Sequence, residues 1–105
     1  MYPGRNYQGN IILRRRLLRS HSFVSAAKKI VKKDPRQALE LQNALELLSN
    51  NAFDVKLKTH KLKGSMKGSL ASSIGYDLRI IFKLVKNDDS EAILLETIGT
   101  HDEVY

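Results

Sequence analysis

The chain has 105 residues, 42% of them hydrophobic, which is enough for one modest core and too much for wholesale disorder. It has no cysteine, which excludes disulfides and thiolate metal sites and fits a reducing compartment. The net charge of +7 points to an anionic partner, and it is unevenly spread: residues 1–36 hold ten Lys/Arg against Asp34 alone, whereas residues 84–105 hold only Lys86 against six acids.

Met1 to Asn10 is polar and glycine-containing, an extension ahead of a single domain. The apolar run after it is broken by Arg14, Arg15 and Arg16, so it is no signal-peptide core, and no stretch approaches a membrane span. A cytoplasmic protein without membrane contact is expected. Ile11 to Arg19 has the composition of a first strand. Ser20-His21-Ser22 supplies helix-starting chemistry, with Ser22 the expected N-cap. Phe23, Ala26, Ala27, Ile30 and Val31 then mark one face of a helix, with Lys28, Lys29, Lys32 and Lys33 on the other face and the C-terminal end. Asp34-Pro35 ends that helix and starts a second, with Asp34 as cap and Pro35 in the first helical position. Ala38, Leu41, Leu45 and Leu48 form its apolar stripe, and Ser49-Asn50-Asn51 stops it.

From Asp54 the period changes. Val55 and Leu57 alternate with lysines, and a glycine-flanked loop, Gly64 to Gly68, leads to a strand from about Ser69 to Ile74. Gly75-Tyr76 is a turn. Leu78, Ile80, Phe82 and Leu84 alternate through the next strand, Asn87 to Ser90 turns, and Ala92 to Ile98 is the last strand. The order is β-α-α-β-β-β. It predicts an α+β fold in which an N-terminal helical hairpin covers one face of a small, largely antiparallel sheet.

Two histidines stand where chemistry is plausible: His60 in a lysine-rich loop and His101 in the closing Gly99-Thr100-His101-Asp102-Glu103 run. Imidazole exchanges protons near neutral pH, and lysines beside it suit an anionic group, so phosphodiester cleavage is the sharp reading. Asp102 and Glu103 beside His101 favour its imidazolium form and hence an acid role. Asp77 and Arg79, two apart in a strand, are expected on one face, with Arg79 suited to phosphate. Tyr105 has a ring on which a base can stack. Lys58, Lys61, Lys63, Lys67 and Lys83 are the candidate contacts to a phosphate backbone, which the resemblance below implies is RNA. The bland readings stand beside these: a solvated lysine face, a structural Asp77–Arg79 ion pair, and a frayed C-terminal tyrosine. His21, beside a helix start, is read as structural. The three histidines lack any local metal-ligand spacing, and no metal or cofactor is expected.

Three segments carry a family resemblance: Leu57 to Gly64 (LKTHKLKG), Gly75 to Phe82 (GYDLRIIF) and Ile98 to Tyr105 (IGTHDEVY). With the element order, they resemble the RelE/ParE toxin superfamily of bacterial type II toxin–antitoxin systems, and within it the YafQ-like and RelE/StbE messenger-RNA interferases. The resemblance implies the RelE-like fold, a ribosome-associated endoribonuclease, and a cognate antitoxin as partner beside messenger and ribosomal RNA. It implies catalytic roles for His60, Asp77, His101 and the aromatic Tyr105. Two departures stand out: the family's further second-strand histidine is Ser73 here, and many relatives have an arginine where this chain reads Ser69 to Ser73. The rival readings are a ParE-like toxin that inhibits DNA gyrase by binding it, and a degenerate member that binds RNA without cutting it.

Overall fold

The computed structural model describes residues 14–105. Met1 to Asn10, and the Ile11 to Leu13 part of the expected first strand, lie outside the described residues. Within them the order is β1 (Arg16–Arg19), α1 (His21–Lys33), α2 (Arg36–Asn50), β2 (His60–Lys61), β3 (Leu70–Ile74), β4 (Leu78–Asn87), β5 (Ser90–Thr100) and α3 (His101–Val104). The five strands form one sheet in the order β1-β5-β4-β3-β2, parallel between β1 and β5 and antiparallel elsewhere. The expected α+β architecture is observed with one strand more than expected: His60 and Lys61, expected in a loop, form the two-residue β2 that pairs with β3.

Both helices follow their apolar stripes. Phe23 of α1 and Leu41, Ala44 and Leu48 of α2 are buried against Ile80 and Phe82 of β4 and Ile93, Leu95 and Ile98 of β5. Leu45 packs only at the margin of this core, and Ala44, outside the expected stripe, is buried in its place. Ser49 does not stop α2: it is buried inside the helix, and its hydroxyl donates to the Arg15 carbonyl at 2.6 Å. Asp34 behaves largely as expected. Its Oδ1 accepts from the Arg36 backbone N–H at 3.2 Å, and Pro35 already has helical dihedrals (φ −59°, ψ −21°), so the capping chemistry is present although α2 proper starts at Arg36.

Two local expectations are corrected. The cap of α1 is Ser20, not Ser22: Ser20 Oγ accepts from Phe23 N at 3.0 Å and donates to Glu96 O at 2.8 Å, while its backbone N–H bonds to Leu95 O. Those bonds to β5 hold Ser20 extended (φ −72°, ψ 160°), as an N-cap must be. Val55 to Leu57 is a 3₁₀ turn rather than an alternating strand, because Asp54 Oδ1 accepts from Lys56 N at 2.9 Å and caps it. The closing residues after Thr100 form a helical turn. Among the described residues no helix is long and apolar enough to cross a membrane.

Ser20→Ala removes a cap and a tie to β5 together, and is expected to cost about 1–2 kcal/mol in a chemical denaturation series. Ser22→Ala, at an exposed position in the first turn, should stay within about 0.5 kcal/mol; equal losses would return the cap to Ser22.

Candidate active site

The helices cover one face of the sheet, and the strand pairing decides what the other face carries. In β4, Leu78, Ile80 and Phe82 belong to the core, so Arg79 between them points to the open face. Directly paired residues share a face, and the register extends the assignment across the sheet. His60 pairs with Ala71, Ala71 with Ile81 and Ile81 with Thr97; in the next row Ser73 pairs with Arg79 and Arg79 with Gly99. His60, Ser73, Arg79 and Thr97 therefore lie on one open surface. At about 4.8 Å between strands, His60 and Arg79 are about 12 Å apart at Cα, with Arg79 between His60 and the strand end that carries His101.

Each of these side chains has a local cause for its place. Lys58 adopts the left-handed region (φ 50°), which brings its carbonyl 3.1 Å from His60 Nδ1. A carbonyl only accepts, so Nδ1 is the donor in this contact, and in the neutral ring that tautomer leaves the lone pair on Nε2. The strand entry is fixed by Thr59, whose Oγ1 donates to Ala52 O at 2.6 Å and lies 2.6 Å from Ser72 Oγ. One hydroxyl carries one proton, so Ser72, fully buried, is the donor in that second bond. Arg79 spends one donor on the Leu78 carbonyl (Nη1, 2.9 Å) and keeps the rest of its fork.

His101 opens α3 at the end of β5, exposed, with its ring edge-on to Tyr105 at 4.6 Å between centroids. Asp102 Oδ1 lies 3.5 Å from His101 Nδ1. Glu103 is not turned toward the imidazole. Its Oε1 accepts from Thr100 N at 2.8 Å while Thr100 Oγ1 accepts from Glu103 N at 3.3 Å, a reciprocal cap. The Thr100 N–H, then the Thr100 side chain, hold the Glu103 carboxyl below the usual glutamate value, and Lys33 and Lys29 add to the effect.

Two members of the expected set fall elsewhere. Asp77 sits in the Gly75–Asp77 turn, where Gly75 takes φ 56°, and it lines a cleft of about 710 Å³ with Lys29, Lys33 and Arg36 on the helix side and Thr100 and Glu103, which flank His101 and Asp102, on the other. The turn breaks the two-residue alternation on which the shared face depends. Lys61 follows His60 in β2 and so leaves the sheet on the opposite side, around a groove of about 570 Å³ with Lys63, Leu62 and Leu84. Lys67 and Lys83 do border the open face, together with Ser69, Ile81 and Glu96. Lys58 is exposed ahead of β2.

Glu96 was not foreseen. The β4–β5 register slips between Ile81 and Phe82, since Ile81 pairs with Thr97 but Phe82 with Leu95, and Glu96 is the extra residue. Its carboxylate accepts from Ser69 Oγ at 2.6 Å and lies 3.6 Å from Lys83 Nζ. Nothing in the residue pattern of β5 marks a bulge; only the pairing reveals it.

Thr59→Val should cost about 1–3 kcal/mol in denaturant unfolding, because it leaves the buried Ser72 hydroxyl and the Ala52 carbonyl without their partner. A loss below about 0.5 kcal/mol would show that the hydroxyl pair does not hold the entry to β2.

A family model described as a bacterial toxin of type II toxin–antitoxin system, YafQ, matches residues 15–105. The fold is similar to the crystal structure of YafQ from E. coli, with a TM-score of 0.71 and 25% identity over 87% of this chain and 98% of that one. A chain of the E. coli DinJ–YafQ toxin–antitoxin complex gives 0.69 and 26%, covering 88% and 98%. A YoeB/ParE toxin from Agrobacterium tumefaciens gives 0.69 at 16% identity, covering 82% and 98%, a likeness of fold alone. No curated protein sequence matches the chain. On the family model's match across residues 15–105, the chain belongs to the YafQ family of bacterial toxins of type II toxin–antitoxin systems.

Proposed function

We propose that this toxin is an endoribonuclease that cuts messenger RNA on the ribosome without a metal, and that a cognate antitoxin neutralises it in the cytoplasm. The observation that carries the reading is the open face itself: a fork of guanidinium donors on Arg79 lies between two histidines whose surroundings differ. His60, with Nδ1–H held by the Lys58 carbonyl, presents Nε2 as a base for the 2′-hydroxyl. The 2′-oxygen attacks phosphorus while Arg79 binds the non-bridging oxygens through parallel hydrogen bonds. His101, beside the Asp102 carboxylate, returns a proton to the departing 5′-oxygen. Tyr105, already packed on His101, offers a face for a neighbouring base.

Magnitudes fit such a division of labour. A well-placed acid or base contributes roughly 10²–10⁴-fold, equivalent to about 3–5.5 kcal/mol of barrier. Lys67 and Lys83 border the same face and suit the RNA backbone, although Lys83 is partly neutralised by Glu96. Lys61 and Lys63, around the other groove, suit a longer stretch of RNA or the antitoxin. Asp77 lines the neighbouring cleft, which Thr100 and Glu103 also border, and is given no proton-transfer step in this reading. The antitoxin assignment rests on the E. coli YafQ relative, which is found in complex with DinJ.

The test is primer-extension mapping of messenger RNA in a translating extract given the purified toxin, beside EDTA-treated naked RNA and a His60→Ala/His101→Ala double variant. Cuts in translated message that vanish with the double variant are the expected result. Intact message together with a poisoned gyrase reaction would move the protein to the gyrase-binding reading, and cuts that survive the double substitution would remove both histidines from the site.

A further inference from the structure

The helix that carries His101 and Tyr105 has four residues, far too few to hold together by propensity. Its place must be imposed from outside, and the contacts on it are specific. Thr100 is extended (φ −70°, ψ 166°) at the end of β5, and its side chain and backbone exchange hydrogen bonds with the backbone and side chain of Glu103. One residue earlier, a Cβ on Gly99 would stand 3.1 Å from Glu103 Cβ and Oε1 and 3.2 Å from Val104 Cγ1. The helical turn is thus folded closely onto a bare strand position, where an added methyl would make the Glu103 and Val104 side chains give by a few tenths of an ångström. That same Gly99 pairs in register with Arg79.

We propose that Glu103 is a positioning residue for His101: by closing the cap on Thr100 over the bare Gly99, it sets where the imidazole stands relative to Arg79. The role rests on the reading of His101 as a proton carrier. It assigns the Glu103 carboxylate to geometry and not to the charge of its neighbour. His101 occupies the first helical position inside the cap, so the backbone bonds that close the turn also fix its Cα and the direction of its side chain. Tyr105 N donates to His101 O at 3.1 Å and completes the same turn, which brings the two rings edge to face.

An ion-pair role with the lysines of α1 is the competing explanation, since Lys29 and Lys33 act on the same carboxylate. Glutamine separates the two: it still accepts from Thr100 N but carries no charge.

The experiment measures single-turnover message cleavage on ribosomes, with maximal rate and half-saturating toxin concentration fitted separately, for E103A, E103Q, G99A, H101A and the E103A/H101A double variant. The expected result is a maximal rate about tenfold lower for E103A and G99A, as loss of a cap leaves the turn mostly open. Half-saturation and the Tm should stay near the parent values, E103Q should stay within about threefold of the parent, and E103A should add nothing once His101 is gone. A parent-like E103A beside an inactive H101A would overturn the positioning role alone, as would an E103Q as slow as E103A or an additive double variant. A parent-like H101A would instead overturn the reading of His101 on which the role rests.

Discussion

The pairing of β4 with β5 is the constraint on which the rest of the molecule depends. These are the two longest strands, 10 and 11 residues, and they lie at the centre of the sheet, with β1 added beyond β5 and β3 beyond β4. Their inner faces supply Leu78, Ile80, Phe82, Ile93, Leu95 and Ile98 to the core, so α1 and α2 must cover that side. The start of α1 is tied to the same ladder, since Ser20 bonds to Leu95 O and Glu96 O beside the bulge. With two helices spent on one face, the other carries no long helix: Ala71 and Ile81 are buried on it, and His60 is exposed at its β2 edge.

The ladder also arranges the chemistry. The turn into β4 ends one residue before the core begins, so Arg79 is the first side chain of that strand committed to the open face. It pairs with Gly99, where β5 gives way to the short helix bearing His101. Farther along, the one-residue slip at Ile81 and Phe82 turns Glu96 onto the open face, beside Ser69 and Lys83. The result is a surface with cationic and imidazole groups toward one end and a partly neutralised patch toward the other. Such surface pairs contribute little stability; their consequence is the local field at that end of the face.

Much of this was legible in the residues. The alternation from Leu78 to Leu84, the apolar stripe of α1 and the helical pair after the first strand carry over, because burial on one face leaves a periodic trace; the two-residue β2 at His60 and the last helix do not. The segments around His60, Gly75 and His101 resembled a toxin superfamily, and the family model covers all of them. Where the reading failed, a tertiary contact had decided between local options. Ser20 and Ser22 are equally good caps in isolation, and bonds to β5 select Ser20. Val55 and Leu57 alternate like a strand, yet Asp54 closes a turn over them. Asp77 was placed with Arg79 by alternation that the preceding turn interrupts. The short last helix was within reach, since Thr100 and Glu103 stand at the spacing of a capping box, a signal passed over when Glu103 was read only as a charge beside His101.

The central claim is that the open face performs acid–base cleavage with the RNA's own 2′-hydroxyl as nucleophile. The measurement that tests it most directly is the chemistry of the cut ends, taken from message cleaved by the toxin and labelled enzymatically at each terminus. The mechanism requires a 2′,3′-cyclic phosphate (or the 3′-phosphate it hydrolyses to) on one fragment and a 5′-hydroxyl on the other. A 3′-hydroxyl facing a 5′-phosphate would mean that water, not the 2′-oxygen, attacked phosphorus, and would contradict the roles given to His60, Arg79 and His101.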